Sequence, residues 1–395
     1  MSDTPTPRRR FAVHRRRVVE TAFDPANYRF AEGVLALANG YMGQRASFEE
    51  GAAGAEGLRG HYVAGVFDAY PNPTMIRLKG RPEQPGEIVN VPDFLPIAVR
   101  LNGEPLDLSR RRPQQYERTL DMDRGVLTRR VVVDLPSCAA AEVTFTRFLS
   151  LARPHVAAAR VTVRALSGAV DVEFISAVDG GVRNERAEHL ADARPCRAPD
   201  GAWHGVRCRT RTSGIELAVL AAEAVDGQAV TESPQAEGAV TRRAVRRRCG
   251  QGQAVTFEKL VAVATSRDAD LQGSPARDAE ARLREAAAAG AEALLREHEA
   301  AWAELWRTAD INVRQADGSE ELTQGLTYAL YQMLANAPRG GAGVQIGAKG
   351  LTGEHYFGTY FWDTEAFMLP MFVFVLPAVA RDLVRFRIRT LDAAR

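Results

Sequence analysis

The segment HYFGTYFWDTEAFMLP, His355 to Pro370, crowds aromatic rings around two acids. Asp363 and Glu365 stand two positions apart beside Trp362. An indole face stacks on the apolar side of a pyranose ring. A carboxylate accepts two adjacent hydroxyls as charge-assisted hydrogen bonds. Trp362 and Asp363 supply both parts of a sugar grip. The same residues also read as plain structure, with Asp363 as a helix N-cap, the acids in a first turn and the rings in a core. The two readings are compatible, because helix starts line pockets.

Other candidate chemistry is weaker. Gly341, Gly343 and Gly347 in GGAGVQIGAKG suggest a dinucleotide fingerprint, but the spacing is wrong and a helical pattern precedes it. The stretch reads instead as a connection that brings backbone close to a neighbour. Trp302 and Trp306 could form a sugar platform. They share a helical face with Leu294, His298 and Leu305, which favours a packing stripe. Cys138, Cys196, Cys208 and Cys249 form no C-x-x-C pair. Cys208 lies near His204 in sequence, without a second ligand pair for zinc, so free thiols in a reducing cytosol are expected.

The 395 residues suffice for two or three domains, and 46% hydrophobic with 25% charged residues is ordinary for a soluble chain. A net charge of +2 gives no general attraction to nucleic acid or an anionic membrane. The basic runs Arg8–Arg17 and Thr241–Cys249 read as solvated faces. The start is polar, without the apolar run of a secretion signal. The most apolar run, Phe367 to Ala380, is too short to span a bilayer, is broken by Pro370 and Pro377, and reads as core.

From Arg17 to Ser266 short runs alternate apolar and polar residues between Gly, Pro, Asn and Asp punctuation, with Asn102-Gly103 as a hairpin turn. A large antiparallel β-sandwich is expected. After Ser266 the period becomes helical. A long helix, or a pair broken at Gly290, leads to an amphipathic helix at Leu322–Ala337. Further helices are expected from near Thr364 and from about Pro377. The expected division is a disordered basic tail at 1–16, a β-sandwich at 17–266, a helical linker at 267–310 and a helical domain from 311 to 395.

The segment AKGLTGEHYFGTYFWDTEAFMLP resembles the signature of glycoside hydrolase family 65, the inverting disaccharide phosphorylases. LANGYMGQRASFEEG (Leu37 to Gly51) resembles the family's N-terminal segment, with Ala38 where Gly is usual. YVAGVFD, LPI, LDMDRGVLTRR and the linker-like HEAAWAELWRTADI agree in the same order, so the resemblance covers nearly the whole chain. It implies an N-terminal β-sandwich, a helical linker and a catalytic (α/α)6 barrel, of which only the first helices fall within these residues.

The resemblance also assigns roles. Trp362 and Asp363 bind the glucosyl unit whose bond is broken, and Glu365 belongs to the motif without being the proton donor. Gly358-Thr359-Tyr360 replaces the aromatic or basic residue usual before the F-W-D. No cofactor is implied, with inorganic phosphate as co-substrate of a maltose-, trehalose- or kojibiose-like disaccharide. The family's acid, a Glu in a G-P-D-E-Y-type loop, has no counterpart here and is expected beyond Arg395, which makes the chain an inactive N-terminal piece. No nucleic acid or membrane partner is expected, and the implied full-length form is a cytoplasmic homodimer. The alternatives are a trehalase-like hydrolase of the same family and a non-catalytic sugar-binding or assembly module. His355 reads as loop scaffold or as a contact to the acceptor sugar. Arg45 and Asp68 read equally well as interface salt bridges, and Asn39-Gly40 is first a turn.

Overall fold

Strict alternation makes the first two thirds of the chain a set of antiparallel strands. In Ala140–Leu149, Ala141, Val143 and Phe145 are buried while the residues between them face outward. The computed structural model describes residues 10–51, 56–69, 86–136, 139–339 and 343–394. Among these, the largest sheet has ten strands and runs from Arg17–Glu20 at one edge, through Ala140–Leu149 and Ala254–Thr265, to Leu190–Arg197 at the other. A five-stranded sheet faces it, built from Gln235–Glu237, Val240–Cys249, Val170–Asp179, Ile97–Leu101 and Glu104–Pro105. Val131, Val143 and Val161 of the first meet Val99, Val172 and Val245 of the second in one core. Phe174 stacks on Phe257 across the layer, 5.1 Å between ring centres. This is the expected sandwich. Asn102 and Gly103, at φ 51° and 84°, form the tight turn that Asn-Gly favours.

A smaller four-stranded sheet, Leu37–Ala38, Met42–Gln44, His61–Ala69 and Gly86–Asn90, follows the short helix α1, Tyr28–Val34. Its Gly43 and Phe67 pack against Leu351 and Tyr360 from the helical end of the chain.

Two expectations about charge need correction. Residues 10–16 were expected in a disordered tail, yet Ala12 bridges to Val19, and Arg16 pairs with Asp123 at 3.1 Å and lies over the Trp306 ring. A cation–π contact and an ion pair hold this stretch down. Residues 1–9 lie outside the described residues. The run Thr241–Cys249 is solvated only in part. Its strand alternates, so Arg242, Arg246, Arg247 and Arg248 are exposed, while Arg243 points inward and donates to Glu223 at 2.8 Å and to two carbonyls.

His204 and Cys208 share the buried face of one strand. His204 bonds Thr241 and Glu223, both at 2.8 Å, and no group of metal-binding side chains occurs among the described residues. Cys196, Cys208 and Cys249 are free thiols; Cys138 lies outside the described residues.

Helices α2, Pro275–Ala289, and α3, Ala291–Ala309, lie on the outer face of the large sheet and break at Gly290 (φ 82°). The stripe Leu294, His298, Trp302, Leu305 and Trp306 is buried. His298 accepts from the Leu151 amide at 3.0 Å, and the Trp306 indole donates to the Met122 carbonyl at 2.9 Å. Trp302 stacks on Tyr331 of α4, Glu321–Ala335, at 4.9 Å. These rings are packing, not a sugar platform.

Helices α5, Leu369–Val375, α6, Pro377–Arg389, and α7, Leu391–Ala394, end the chain. Their core is small: Ala337, Ile346, Phe372, Ala380 and Leu383. The reading of Phe367 to Ala380 as core therefore fails for most of its length. Phe372 and Ala380 are buried, but Phe367 is 68% and Phe374 87% exposed, because α5 has a neighbour on one side only. No helix among the described residues is long and apolar enough to cross a membrane.

Candidate functional site

The motif loop starts where the glycine-rich connection meets the sandwich. Gly347 lies so close to the Gly358 carbonyl that a side chain there would meet its oxygen at 2.7 Å. Gly358 itself has φ 65° and packs against Ile88 of the small sheet. A Cβ at Gly358 would collide with Ile88 at 2.7 Å, so this glycine lets the loop rest on the sandwich. Tyr360 then fits edge-on between Phe67 of the small sheet and Phe386 of α6, at 5.4 and 5.3 Å. Burial pushes its phenol up to about 12.

Past this anchor the chain turns outward. Trp362 is 69% exposed, and its ring lies against Phe367 at 5.8 Å. Asp363 is exposed and already has helical dihedrals, φ −54° and ψ −36°. Its carboxylate makes no cap bond, so the N-cap reading of Asp363 fails. A single π-type turn, Thr364–Met368, follows and runs into α5. Such turns recur at functional sites.

Glu365 is the residue that fixes this exposed pair. Its carboxylate takes a two-pronged bond from Arg387 of α6, at 2.7 and 3.0 Å, and a third from the Gln345 amide at 2.7 Å. The same guanidinium donates to the Phe361 carbonyl at 2.8 Å. Thr364 is buried and bonds the Ile346 carbonyl at 3.1 Å. The backbone on either side of Trp362 and Asp363 is therefore held, while their side chains stay free.

On the sandwich side of the loop, Glu354, His355 and Tyr356 line a cavity of about 500 Å³ with Glu87, Glu185 and Lys349. Glu354 is 6% exposed, and its Oε1 accepts from the Glu185 amide at 3.0 Å. Burial, helped by Glu87 and Glu185, pushes its carboxyl up to about 7, against the pull of that amide and Arg45. Tyr356 and Phe357 both sit in the left-handed region, φ 58° and 59°, which aromatic residues rarely adopt. Arg45 ties the loop down by donating to the carbonyls of Thr352 and Arg29, both at 3.1 Å. Asp68 instead accepts from the amides of Thr212 and Ser213 and faces His189 within the sandwich. Asn39 closes its own turn by accepting from the Met42 amide at 2.8 Å.

Trp362 and Asp363 thus stand together, as the sequence suggests. Glu354, Tyr356 and Arg387 were not read as site residues. The signal for Arg387 lies 22 positions from Glu365, beyond any local pattern. Glu354 stood in the motif, but its burial depends on a main-chain amide 169 residues earlier.

The molecule is thus a large sandwich with helices on its outer face and a loop that presents an exposed indole beside an exposed carboxylate. The profile of glycosyl hydrolase family 65, N-terminal domain, matches residues 18–305, and that of the family's central catalytic domain matches 327–395. The chain belongs to glycosyl hydrolase family 65. Kojibiose phosphorylase of Halothermothrix orenii is 32% identical over 96% of this chain and 48% of its own length. Maltose phosphorylase of Bacillus subtilis is 31% identical over 98% of this chain and 51% of its own. Alpha,alpha-trehalose phosphorylase of Thermoanaerobacter brockii is 30% identical over 95% and 50%. The chain thus spans about half the length of the curated relatives it matches. A solved structure, a putative kojibiose phosphorylase from the human microbiome, superposes with a TM-score of 0.89 over 98% of this chain and 50% of its own, at 24% identity. It shares the fold.

Proposed function

We propose that this chain is the glucosyl-gripping part of an inverting disaccharide phosphorylase. The observation that carries the reading is the exposed Trp362 beside the unpaired Asp363, on backbone clamped by Glu365 and Arg387. The indole stacks on the apolar face of the glucosyl ring, and the carboxylate accepts its hydroxyls. Inorganic phosphate, already anionic, attacks the anomeric carbon from the side opposite the leaving sugar. The C1–O bond breaks, a protonated Glu delivers its proton to the leaving oxygen, and the product is β-glucose 1-phosphate. No cofactor takes part. The proton donor and the phosphate-binding groups belong to residues outside these 395, so the chain alone binds sugar without turning it over. The full-length form works as a cytoplasmic homodimer. Kojibiose, maltose and trehalose, named for the relatives, are the candidate disaccharides.

Calorimetry with glucose and maltose tests the grip. Wild type gives a binding isotherm, and Trp362→Ala weakens it at least tenfold, the order expected for a lost stacking contact plus its burial. Equal affinities in the two proteins end the reading. Release of glucose 1-phosphate by the purified chain would show instead that the catalytic parts are present. For a longer form, sugar release that ignores phosphate favours a hydrolase.

A further inference from the structure

Arginines on the sandwich strands stand opposite acids in several places. Arg246 faces Glu173 and bonds it at 2.8 Å, Arg248 faces Asp171 at 3.5 Å, and Arg160 faces Glu258 at 2.7 Å. Among the described residues two arginine pairs are directly opposed instead. Arg118–Arg129 is buried and is answered by Glu20, Glu49 and Glu50. Arg194–Arg207, at the edge of the large sheet, is not answered. Like charges directly opposite across an antiparallel pair destabilise it, so the chain alone gives no reason for this second pair.

A bulge in the edge strand Leu190–Arg197 brings the two together. Its register shifts between Ala191 and Arg194, and Asp192 takes φ 53°, in the left-handed region. Bulges re-aim side chains and recur beside functional sites. Both arginines line a cavity of about 420 Å³, within the roughly 300–1,000 Å³ of ordinary small-ligand sites. The two acids on its wall are placed at a third arginine. Asp192 accepts from Arg209 Nε at 2.6 Å, and Glu216 stands opposite Arg209 in the next strand. Arg194 and Arg207 have no ion-pair partner among the described residues. Arg207 touches the Cys196 thiol, a weak acceptor that burial keeps neutral.

The kind of ligand follows from the donors. Ser274, at the start of α2, lies on the facing wall. Its hydroxyl accepts from the Arg277 amide, which leaves its own proton free to donate. Buried Leu217 also lines the cavity, and an apolar wall beside a charge weakens its screening by water. A guanidinium is a fork of donors that holds two oxygens at once. A carboxylate has two oxygens and is filled by one fork. A phosphate group has more oxygens and close to two negative charges, so it can bridge two forks that stand side by side.

We propose that Arg194 and Arg207 form a binding site for a phosphate group at the edge of the sandwich. Free inorganic phosphate and a phosphate ester share this chemistry. The site has no residue in common with the motif loop, and it is distinct from the groups that would hold phosphate for attack on the sugar.

The experiment is a calorimetric titration of the full chain with inorganic phosphate and, separately, with glucose 1-phosphate, at fixed ionic strength. Wild type should bind saturably. Arg194→Gln and Arg207→Gln should each weaken binding about tenfold, as for one lost hydrogen bond between charged groups. Arg248→Gln removes an equal charge from another outward strand position and should stay within about twofold of wild type, since a distant charge is screened. All three side chains are exposed, and urea melts without phosphate check that the variants fold. Phosphate should raise the wild-type urea midpoint and leave that of Arg194→Gln in place. Tighter binding of glucose 1-phosphate names an ester as the ligand, and equal or weaker binding names free phosphate. Equal affinity in wild type and both cavity variants overturns the proposal. A loss as large in Arg248→Gln reduces the effect to general charge attraction and also overturns it. No saturable binding of either probe does the same, and none of these outcomes bears on the sugar grip of Trp362.

Discussion

The sandwich and the helical end of the chain bury their surfaces in opposite ways. In the sandwich even charge is sealed in. Arg118, Arg129, Arg147 and Arg243 are all at most 3% exposed, and each is bonded to a carboxylate. At the helical end apolar surface is open, with Phe367, Phe374, Ile388 and Trp362 all more than 60% exposed. A closed core fixes positions, and an open face can receive something. The motif loop lies between them, with one side resting on the rigid half and its exposed pair on the open half.

Four substitutions test this contrast. Arg243→Ala leaves Glu223 buried without its guanidinium, and unfolding of the sandwich should lose about 3–5 kcal/mol in urea melts. A loss under 1 kcal/mol would mean that the sandwich tolerates the loss of an internal cation and that His204 and Ser176 suffice for Glu223.

Glu354→Gln tests the seam. Burial raises this carboxyl from 4.5 to about 7, so the folded chain holds the proton more tightly than the unfolded chain. The contribution of this group to stability is therefore full below about pH 4.5 and is lost as pH rises to about 7. Glutamine carries no such proton. It should flatten that part of the urea-midpoint profile and stabilise the protein at pH 8 by about 1–2 kcal/mol. An unchanged slope between wild type and variant would place the titration elsewhere.

Arg387→Ala acts on the open half. Sugar affinity should fall about tenfold as the Phe361–Glu365 backbone loosens, while the sandwich midpoint holds, a split that calorimetry and melts can read separately. Loss of both together would make Arg387 a general stability residue. Phe374→Ser should have the smallest effect on folding, within about 0.5 kcal/mol, because the ring is 87% exposed. It should lower self-association in light scattering, and undiminished association would show that this face is not sticky.

Where neighbours in sequence are neighbours in space, the reading held. The alternation of Ala140–Leu149, the Asn102-Gly103 turn, the break at Gly290 and the α3 stripe all depend on residues a few positions apart. It failed where a distant partner decides. Arg243 looks like one more solvated arginine until Glu223 arrives from a strand of the facing sheet. Phe367 to Ala380 looks like core because composition does not say whether a neighbour covers it. Trp362 and Asp363 stand side by side on one exposed turn because they are adjacent in the chain. Glu354 was not legible as a site residue, because the property that matters, burial beside Glu185 and Glu87, comes from the other half of the chain.

The two aromatic residues in left-handed conformation also set an order of assembly. Nothing in Tyr356 or Phe357 favours φ near 60° on its own, at a cost of about 1–3 kcal/mol each. The loop therefore has no reason to take this shape until the Glu185 amide and the Ile88 side chain are already in place. The sandwich leaves the ribosome first, so the surface on which the motif loop rests is made before the loop itself.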